Sequence, residues 1–468
     1  MVVLRDYQII GLDKIRQSFV NGFRRSILVA PTGAGKTVIA GEVIAGAAAK
    51  QKRVLFLAGG KELVDQCSAK VDELGIDHGI IQGTHWRQNY SLPVQVGSIA
   101  TVVNRSEVLD PDIIIIDECH HAIASSWQKC IDRWPKALFL GLTATPYRLD
   151  NKGLGHIFET IIPLTTTKEL IQRGYLVPPT VYAPSQPDLT ACGTGREYNR
   201  GQLNIECDKP ELIGDIVKHW FEYSAGRQTL CFGVSVEHSK HIRDEFRRAG
   251  ISAEHVDGKF SKSDRERAFN NFKSGATMVL CNVGIATEGY DNPEMSCVIL
   301  ARPTKSRCLW RQMIGRGLRI ADWIQKLDCT IMDHANLTRQ HGFIEDADHY
   351  DLTGLNAAKH RPGTMSGPSV RVCPECFSAL RGGVFECPYC DYVFPKAKIE
   401  LPRMKTGNLM LAEHGAYIPN ADDAKKRSSF DMLVAKAKSK GYKIKWVHIQ
   451  YKIRFGEQLP YEWAKEIA

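Results

Sequence analysis

The chain has 468 residues, 43% hydrophobic and 24% charged, which is the balance of an ordinary globular protein with room for two to four domains. No run of 18 apolar residues occurs, which excludes a membrane-spanning helix; Met1-Val2-Val3-Leu4-Arg5-Asp6 lacks a signal-peptide layout, so a cytoplasmic protein with no membrane partner is expected. The net charge of +9 is concentrated in residues 396–468, with 15 Lys and Arg against 8 Asp and Glu; such a tail fits a polyanion, nucleic acid first, or else a merely solvated surface.

In chain order, residues 5–20 read as an amphipathic helix anchored by Tyr7, Ile10, Ile15 and Phe19. Arg5, Tyr7 and Gln8 stand at its start, and the Gln8 amide can donate to and accept from an adenine edge at once. The apolar run Ser26-Ile27-Leu28-Val29 then leads into Ala30-Pro31-Thr32-Gly33-Ala34-Gly35-Lys36-Thr37 and an Ala/Ile/Val-rich helical stretch. Strand, Gly-rich turn and helix form a phosphate-binding loop, in which successive backbone N–H groups face an anion. Lys36 is expected on the β/γ-phosphates and the Thr37 hydroxyl on Mg²⁺. The first motif position is Ala30 rather than Gly, a small departure.

Short apolar runs follow at 54–57, 94–97, 113–116 and 138–140, alternating with helical stretches. That rhythm predicts parallel strands buried on both faces of a doubly wound α/β domain, with ligands beyond their carboxyl ends. Ile113 to Ile116 delivers Asp117-Glu118-Cys119-His120 to that edge. Asp117 is expected to hold Mg²⁺ and Glu118 to position and deprotonate the attacking water. Thr143 and Thr145, at the end of the next strand, are candidates to link these acids to the rest of the site.

Arg5 to Gln8, the 30–37 loop, Asp117 to His120 and Thr143-Ala144-Thr145 together resemble the superfamily 2 helicases. The resemblance implies two RecA-like domains, 1–164 and 165–345, with ATP in the cleft between them. Residues 165–345 repeat the α/β rhythm through strands near 229–232, 278–281 and 297–300, without a second phosphate loop. Gln312-Met313-Ile314-Gly315-Arg316-Gly317-Leu318-Arg319 places two arginines one helical turn apart, expected to share a face and reach a γ-phosphate. By the family pattern Arg316 and Arg319 are the arginine fingers, and Gln312 stands where many relatives have His. The segment Thr287 to Asp291 resembles the one that couples nucleotide to nucleic acid, which implicates Gly289 and puts Asp291 near the ribose. Residues 184–210 read as an irregular insertion and 346–372 as a linker.

Cys373-Pro374-Glu375-Cys376 and Cys387-Pro388-Tyr389-Cys390 are two knuckles that can close a four-thiolate Zn²⁺ site, defining a module at 373–396. Four ligands leave no position open for water, so the metal is expected to be structural. The tail, 397–468, is read as basic and mainly helical: Phe430, Leu433, Val434 and Ala437 repeat at helical spacing and Gly441 is a stop. Beyond it Trp446, Tyr451, Phe455 and Trp463 alternate with Lys443, Lys445, Lys452 and Arg454; the lysines suit nucleic acid, while the aromatics either form a small core or dock on the motor, with docking favoured for Trp446 and Phe455. Motor, zinc knuckles and basic tail in this order, with the stretch Lys168-Glu169-Leu170-Ile171-Gln172-Arg173-Gly174-Tyr175-Leu176, resemble the RadD-type DNA-repair helicases of bacteria and their phage relatives. That resemblance implies a DNA-stimulated ATPase working near a single-strand DNA-binding protein. A translocating or annealing motor without strand separation, an RNA helicase and a non-enzymatic zinc-dependent adaptor are the other readings.

Overall fold

The computed structural model describes residues 4–121, 124–146, 153–184, 186–193, 195, 197–287, 290–346, 350, 352, 370–395 and 422–467. The chain divides into two compact units, 1–396 and 397–468. Gly289 and most of the expected linker, 346–372, lie outside the described residues.

In the first unit, β1 (Arg25–Val29), β2 (Val54–Ala58), β3 (Gly79–Ile81), β4 (Val94–Ser98), β5 (Ile113–Ile116), β6 (Leu138–Thr143) and β7 (Thr160–Pro163) form one sheet. Its order is β3-β4-β2-β5-β6-β1-β7, and every neighbouring pair is parallel. Successive side chains point to opposite faces, so an unbroken apolar run fills two cores at once. Ile27, Leu55, Ile114 and Ile116 join Trp134 and Phe158 on one side. Leu28, Phe56, Ile115 and Leu140 join Ile39, Ile44 and Val64 on the other. All carboxyl ends of a parallel sheet share one edge, and here that edge carries Pro31, Asp117 and Ala144.

A second sheet comprises β8 (Pro179–Tyr182), β9 (Thr229–Phe232), β10 (Ala253–Val256), β11 (Val279–Asn282), β12 (Cys297–Leu300) and β13 (Cys329–Asp333). Its order is β10-β11-β9-β12-β13-β8, again wholly parallel. These are two RecA-like α/β sheets. Their cores meet: Tyr7, Ala30 and Ala34 of the first domain cluster with Leu176, Trp310, Met313 and Leu318 of the second. The four-cysteine module follows on the antiparallel pair β14 (Val370–Val372) and β15 (Ala379–Arg381). It docks on the edge strand of the second sheet, where Ala183 N–H donates to the Phe377 carbonyl at 2.9 Å and Tyr182 bridges Ser378.

Several local expectations change. The first helix, Asp6–Val20, buries Tyr7, Leu12 and Ile15, but Ile10 is 53% exposed; Leu12 takes the core position that Ile10 was expected to fill. The 184–210 insertion is not wholly irregular. The Asn199 side chain accepts from the N–H groups of Gly201 and Gln202 and so starts the helix Arg200–Cys207, which packs Leu203 and Cys207 on Cys192.

The second unit has helices Asp423–Lys440, Ile444–Phe455 and Tyr461–Lys465. Gly441, at φ 68°, ends the first of them. Phe430, Leu433, Val447, Tyr451 and Phe455 form its core, with Trp446 and Trp463 packed against them. Of the two roles expected of Trp446 and Phe455, a small core or docking on the motor, both residues take the first within this unit. Among the described residues, no helix is long and apolar enough to cross a membrane.

Candidate nucleotide site

The phosphate loop turns tightly after β1: Ala34 N–H donates to the Pro31 carbonyl at 3.1 Å. Gly33 (φ 86°) and Gly35 (φ 79°) take left-handed conformations that glycine adopts without strain. Gly35 is the N-cap of the helix Lys36–Ala48, which starts with Lys36 and Thr37 at its N-terminus. The Ala34 carbonyl accepts from Tyr7 Oη at 3.0 Å and from Gln8 Nε2 at 3.2 Å. Gln8 Oε1 accepts from the Arg5 N–H at 2.9 Å. The buried Gln8 amide thus braces the loop through Nε2 and caps the start of its own helix through Oε1, so both its polar atoms are engaged rather than held ready for a base.

Beside it lies a cationic aromatic cluster. The Arg5 guanidinium sits 4.3 Å from the centre of the Tyr175 ring, Tyr7 meets Tyr175 edge-on at 5.5 Å, and Arg173 lies over both rings and pairs with Asp6. Tyr175 and Arg173 come from the second domain's entry segment; the stretch that holds them carries the family resemblance, but no sequence pattern assigns either a role at the nucleotide site. Their recurrence in one Arg-Gly-Tyr run was the available signal.

At the end of β5, Glu118 adopts φ 43°, left-handed for a non-glycine residue; such strain concentrates at functional sites. Its N–H donates to Asp117 Oδ1 at 3.0 Å. Lys36 Nζ lies 3.7 Å from Glu118 Oε1 and donates to the Ala30 carbonyl at 3.4 Å. His120 Nδ1 stands 3.3 Å from Glu118 Oε2 and 2.9 Å from Thr143 Oγ1. Burial alone would raise the Glu118 pKa, but the charges of Lys36, His120 and Arg316 outweigh it and hold the carboxyl far below its usual range. Burial opposes the charge on His120, whereas Cys308 and Glu118 raise its pKa to about 10. Cys308 belongs to the helix Arg307–Gly317 of the second domain, so His120 touches both halves of the motor. Thr143 also accepts from the Thr145 N–H at 3.1 Å, which ties the Thr-Ala-Thr turn to the acids as expected.

The second domain closes directly over the loop. A Cβ on Gly315 would lie 2.6 Å from the Thr32 Cβ, and one on Gly33 would lie 2.8 Å from the Leu176 Cδ2 and 4.0 Å from the Arg319 Cγ. Arg316 is buried; its Nη1 donates to the Tyr290 carbonyl at 2.7 Å, and its Nε and Nη2 to the Thr287 carbonyl at 3.1 and 2.5 Å. Arg319 pairs with Asp291. The two arginines do not share a helical face. The helix ends at Gly317, and Leu318 and Arg319 leave it to pair with 176–177, the Val177 N–H taking the Leu318 carbonyl at 2.9 Å. Arg319 thus reaches Gly33 from an extended segment, while Arg316 approaches Glu118 from the helix.

The absence of a Cβ at residue 315 is what lets the helix seat on Thr32. Gly315→Ala is expected to lower ATP turnover about tenfold or more while leaving the circular-dichroism spectrum unchanged, because overpacking of this kind costs about 1–3 kcal/mol and falls on the closed arrangement. Steady-state ATPase rates with matched spectra check it.

The Sγ atoms of Cys373, Cys376, Cys387 and Cys390 all lie within 4.8 Å of one another, with Cys373–Cys390 and Cys376–Cys387 both at 3.6 Å. Tetrahedral Zn²⁺ with Zn–S bonds of about 2.3 Å separates its sulfurs by roughly 3.8 Å, so the donor set fits zinc. The two knuckles are built alike: Phe377 and Asp391, each following the second cysteine of its pair, take φ 54° and 58°. Their N–H groups return to the Cys373 and Cys387 carbonyls, both at 3.0 Å.

Two parallel RecA-like sheets, a Lys-Thr phosphate loop and an Asp-Glu pair on one edge, with arginines brought over from the second sheet, define a two-domain P-loop motor. The family model for the res subunit of type III restriction enzymes matches residues 1–148, and the helicase conserved C-terminal domain matches 208–321. The chain belongs to superfamily 2, the ATP-dependent helicases. A 51.5 kDa protein of a Lactococcus phage is 29% identical over 370 residues, 79% of this chain and 78% of its own. The Saccharomyces cerevisiae helicase IRC3 is 31% identical over 71% of this chain, which spans about half (51%) of the yeast protein. Among solved structures, a fragment of an HsdR subunit of a type I restriction enzyme from Vibrio vulnificus shares the fold with a TM-score of 0.60 at 23% identity, over 75% of this chain and 68% of that one.

Proposed function

We propose that the chain hydrolyses ATP between domains 1–164 and 165–345 and uses the cycle to move along or remodel nucleic acid, DNA in the first place. The observation that carries this reading is the meeting of Lys36, Glu118 and Arg316 around one loop, with Arg319 packed beside Gly33. Lys36 and the 32–37 backbone N–H groups hold the phosphates. Glu118 orients the attacking water and accepts its proton, and Arg316 and Arg319 offset the charge that develops on the transferred phosphoryl group. Thr37 and Asp117 supply hydroxyl and carboxylate oxygens, a donor set suited to Mg²⁺, whose contribution is charge neutralisation on the phosphates. Arg5, Tyr7 and Tyr175 offer the base a cation-braced aromatic wall, with Gln8 steadying the loop beneath and Asp291 beside Arg319. His120, bonded to Thr143 and touching Cys308, transmits the state of the acids to the second domain.

The finer assignment to RadD-type repair helicases rests on motor, Cys₄ module and basic tail in that order. It brings with it a cytoplasmic, nucleoid-associated or phage-encoded setting and a single-strand DNA-binding protein as a candidate partner. Measuring ATPase stimulation by single-stranded DNA, duplex DNA and RNA in parallel tests the reading. DNA stimulation of several-fold or more supports it, and a rate indifferent to all three defeats it. Unwinding of a forked duplex assayed on the same DNA separates a helicase from a translocating or annealing motor.

The second unit is the candidate phosphate grip. Lys436, Lys438, Lys440, Lys443 and Lys445 are all exposed around its first turn, whereas Glu457 and Glu466 pair with Lys426 and Arg427 at the opposite end. Lys443 and Lys445 also open the helix Ile444–Phe455, where the macrodipole disfavours cations, so helix stability does not account for them. Changing Lys440, Lys443 and Lys445 together to Ala is expected to reduce the salt slope of single-strand binding by about 2, at about 0.7 per lost phosphate contact. Titrations at several salt concentrations measure it.

A further inference from the structure

Trp86 is 85% exposed. Trp134, Trp220 and Trp310 are buried in the motor, and the exposed Trp323 gives its indole N–H to Glu294 at 2.6 Å. Trp86 instead stands on a rigid mount. After β3 the His85 N–H donates to the Gln82 carbonyl at 3.0 Å, the Gln88 N–H to the His85 carbonyl at 3.0 Å, and the Ile80 N–H to the Arg87 carbonyl at 3.1 Å. Arg87 clamps Asp72 with both Nη atoms at 2.8 and 2.7 Å, and Arg105 Nη2 donates to the Gly83 carbonyl at 3.0 Å. The His85 ring lies 5.8 Å from the indole at 28°, and the Arg87 guanidinium 5.9 Å from it. A large apolar ring is thus held out of the core by well-made hydrogen bonds, in a surround of Gln82, Thr84, His85, Arg87 and Gln88.

The position excludes the nucleotide site. β3 is the edge strand, five places from β1 in the sheet, which at about 4.8 Å per strand puts the ring roughly 24 Å from the phosphate loop. The turn leaves the carboxyl end of a parallel strand, the edge on which ligands of such sheets lie. One bare ring amid polar and cationic groups offers too little apolar area for a protein interface but matches an unpaired base flanked by phosphates.

We propose that Trp86 is a base-stacking site for single-stranded nucleic acid at the outer edge of the first domain. This rests on the nucleic-acid reading above and adds a contact to bases, where a motor that grips phosphates alone would not distinguish a base-bearing strand from an abasic one. The test uses the full chain and two probes of equal length, oligo-dT and an abasic phosphodiester strand, binding to each being followed by fluorescence anisotropy. The parental protein should prefer oligo-dT. Trp86→Ala should weaken oligo-dT binding about tenfold and abasic binding little, Trp86→Tyr should restore most of the loss, and basal ATPase should not change. Equal binding of oligo-dT by the parental protein and Trp86→Ala overturns the stacking site alone. Failure of the parental protein to bind either strand overturns the nucleic-acid reading and the stacking site with it.

Discussion

Glu118→Gln is expected to cut ATP turnover by about 10³-fold while nucleic-acid binding stays within about twofold of the parental value. The amide keeps the shape of the side chain and the left-handed turn at φ 43°, so what is lost is the negative oxygen that orients water and takes its proton, a role worth about 10²–10⁴ in rate. The surroundings of Glu118 make the substitution diagnostic. Lys36, His120 and Arg316 all favour the carboxylate over the acid, and the side chain is ionised at any pH at which the protein would be assayed. A neutral carboxyl can therefore not stand in for the charge, and no pH adjustment should rescue the amide. Lys36→Ala should stop turnover too, but by a different route: it removes the phosphate contact and also the ammonium 3.7 Å from Glu118. His120 and Arg316 stay beside Glu118 when Lys36 is removed, so the carboxylate remains compensated and the missing phosphate contact accounts for the loss of turnover. ATP hydrolysis by Glu118→Gln at the parental rate would falsify the assignment of the water-orienting acid.

What could be read in advance depended on whether the chemistry sits in neighbouring residues. The phosphate loop was legible because backbone recognition of an anion needs a contiguous turn with glycines at Gly33 and Gly35, and both take positive φ. Ile113 to Ile116 announced a doubly buried strand, and the acids had to follow it. Shorter or mixed strands were missed: Gly79–Ile81 has three residues, and Ala253–Val256 carries Glu254 and His255 in its middle. Their strand character comes from the sheet edge that pairs with them, which no local pattern records. The arginines show the same limit. Spacing placed Arg316 and Arg319 on one helix, but Val177 captures the Leu318 carbonyl and draws Arg319 into an extended bridge. Likewise nothing near His120 in sequence reveals Cys308, and nothing near Thr32 reveals Gly315. These are contacts between domains, made only once both have folded.

Loss of the Cys₄ site is the second large effect expected, and its reach follows from where the module is docked. Residues 370–395 bury little beyond Cys373, Leu380, Cys387 and Phe394, so a metal held by the four thiolates would supply most of their folding energy. Cys376→Ser with Cys387→Ser removes two of four ligands and should leave the protein without zinc, measured as bound metal per chain. The module should then unfold locally, and the damage should spread. β8 is the last strand of the second sheet, and its outer side is met by the Phe377 carbonyl and Ser378, while Arg381 pairs with Asp346 at 2.6 Å. Unfolding uncovers that strand, and an uncovered edge is a template for pairing between chains. The double variant should therefore show a melting temperature lower by several degrees and concentration-dependent light scattering near 37 °C. Residual ATPase per soluble molecule should remain, because none of the module's described residues is among those gathered at the nucleotide site. A zinc-free variant that stayed monodisperse and melted with the parental protein would show instead that the module hangs free of the motor, and the edge contacts at Tyr182 and Ala183 would carry no weight in holding the second domain together.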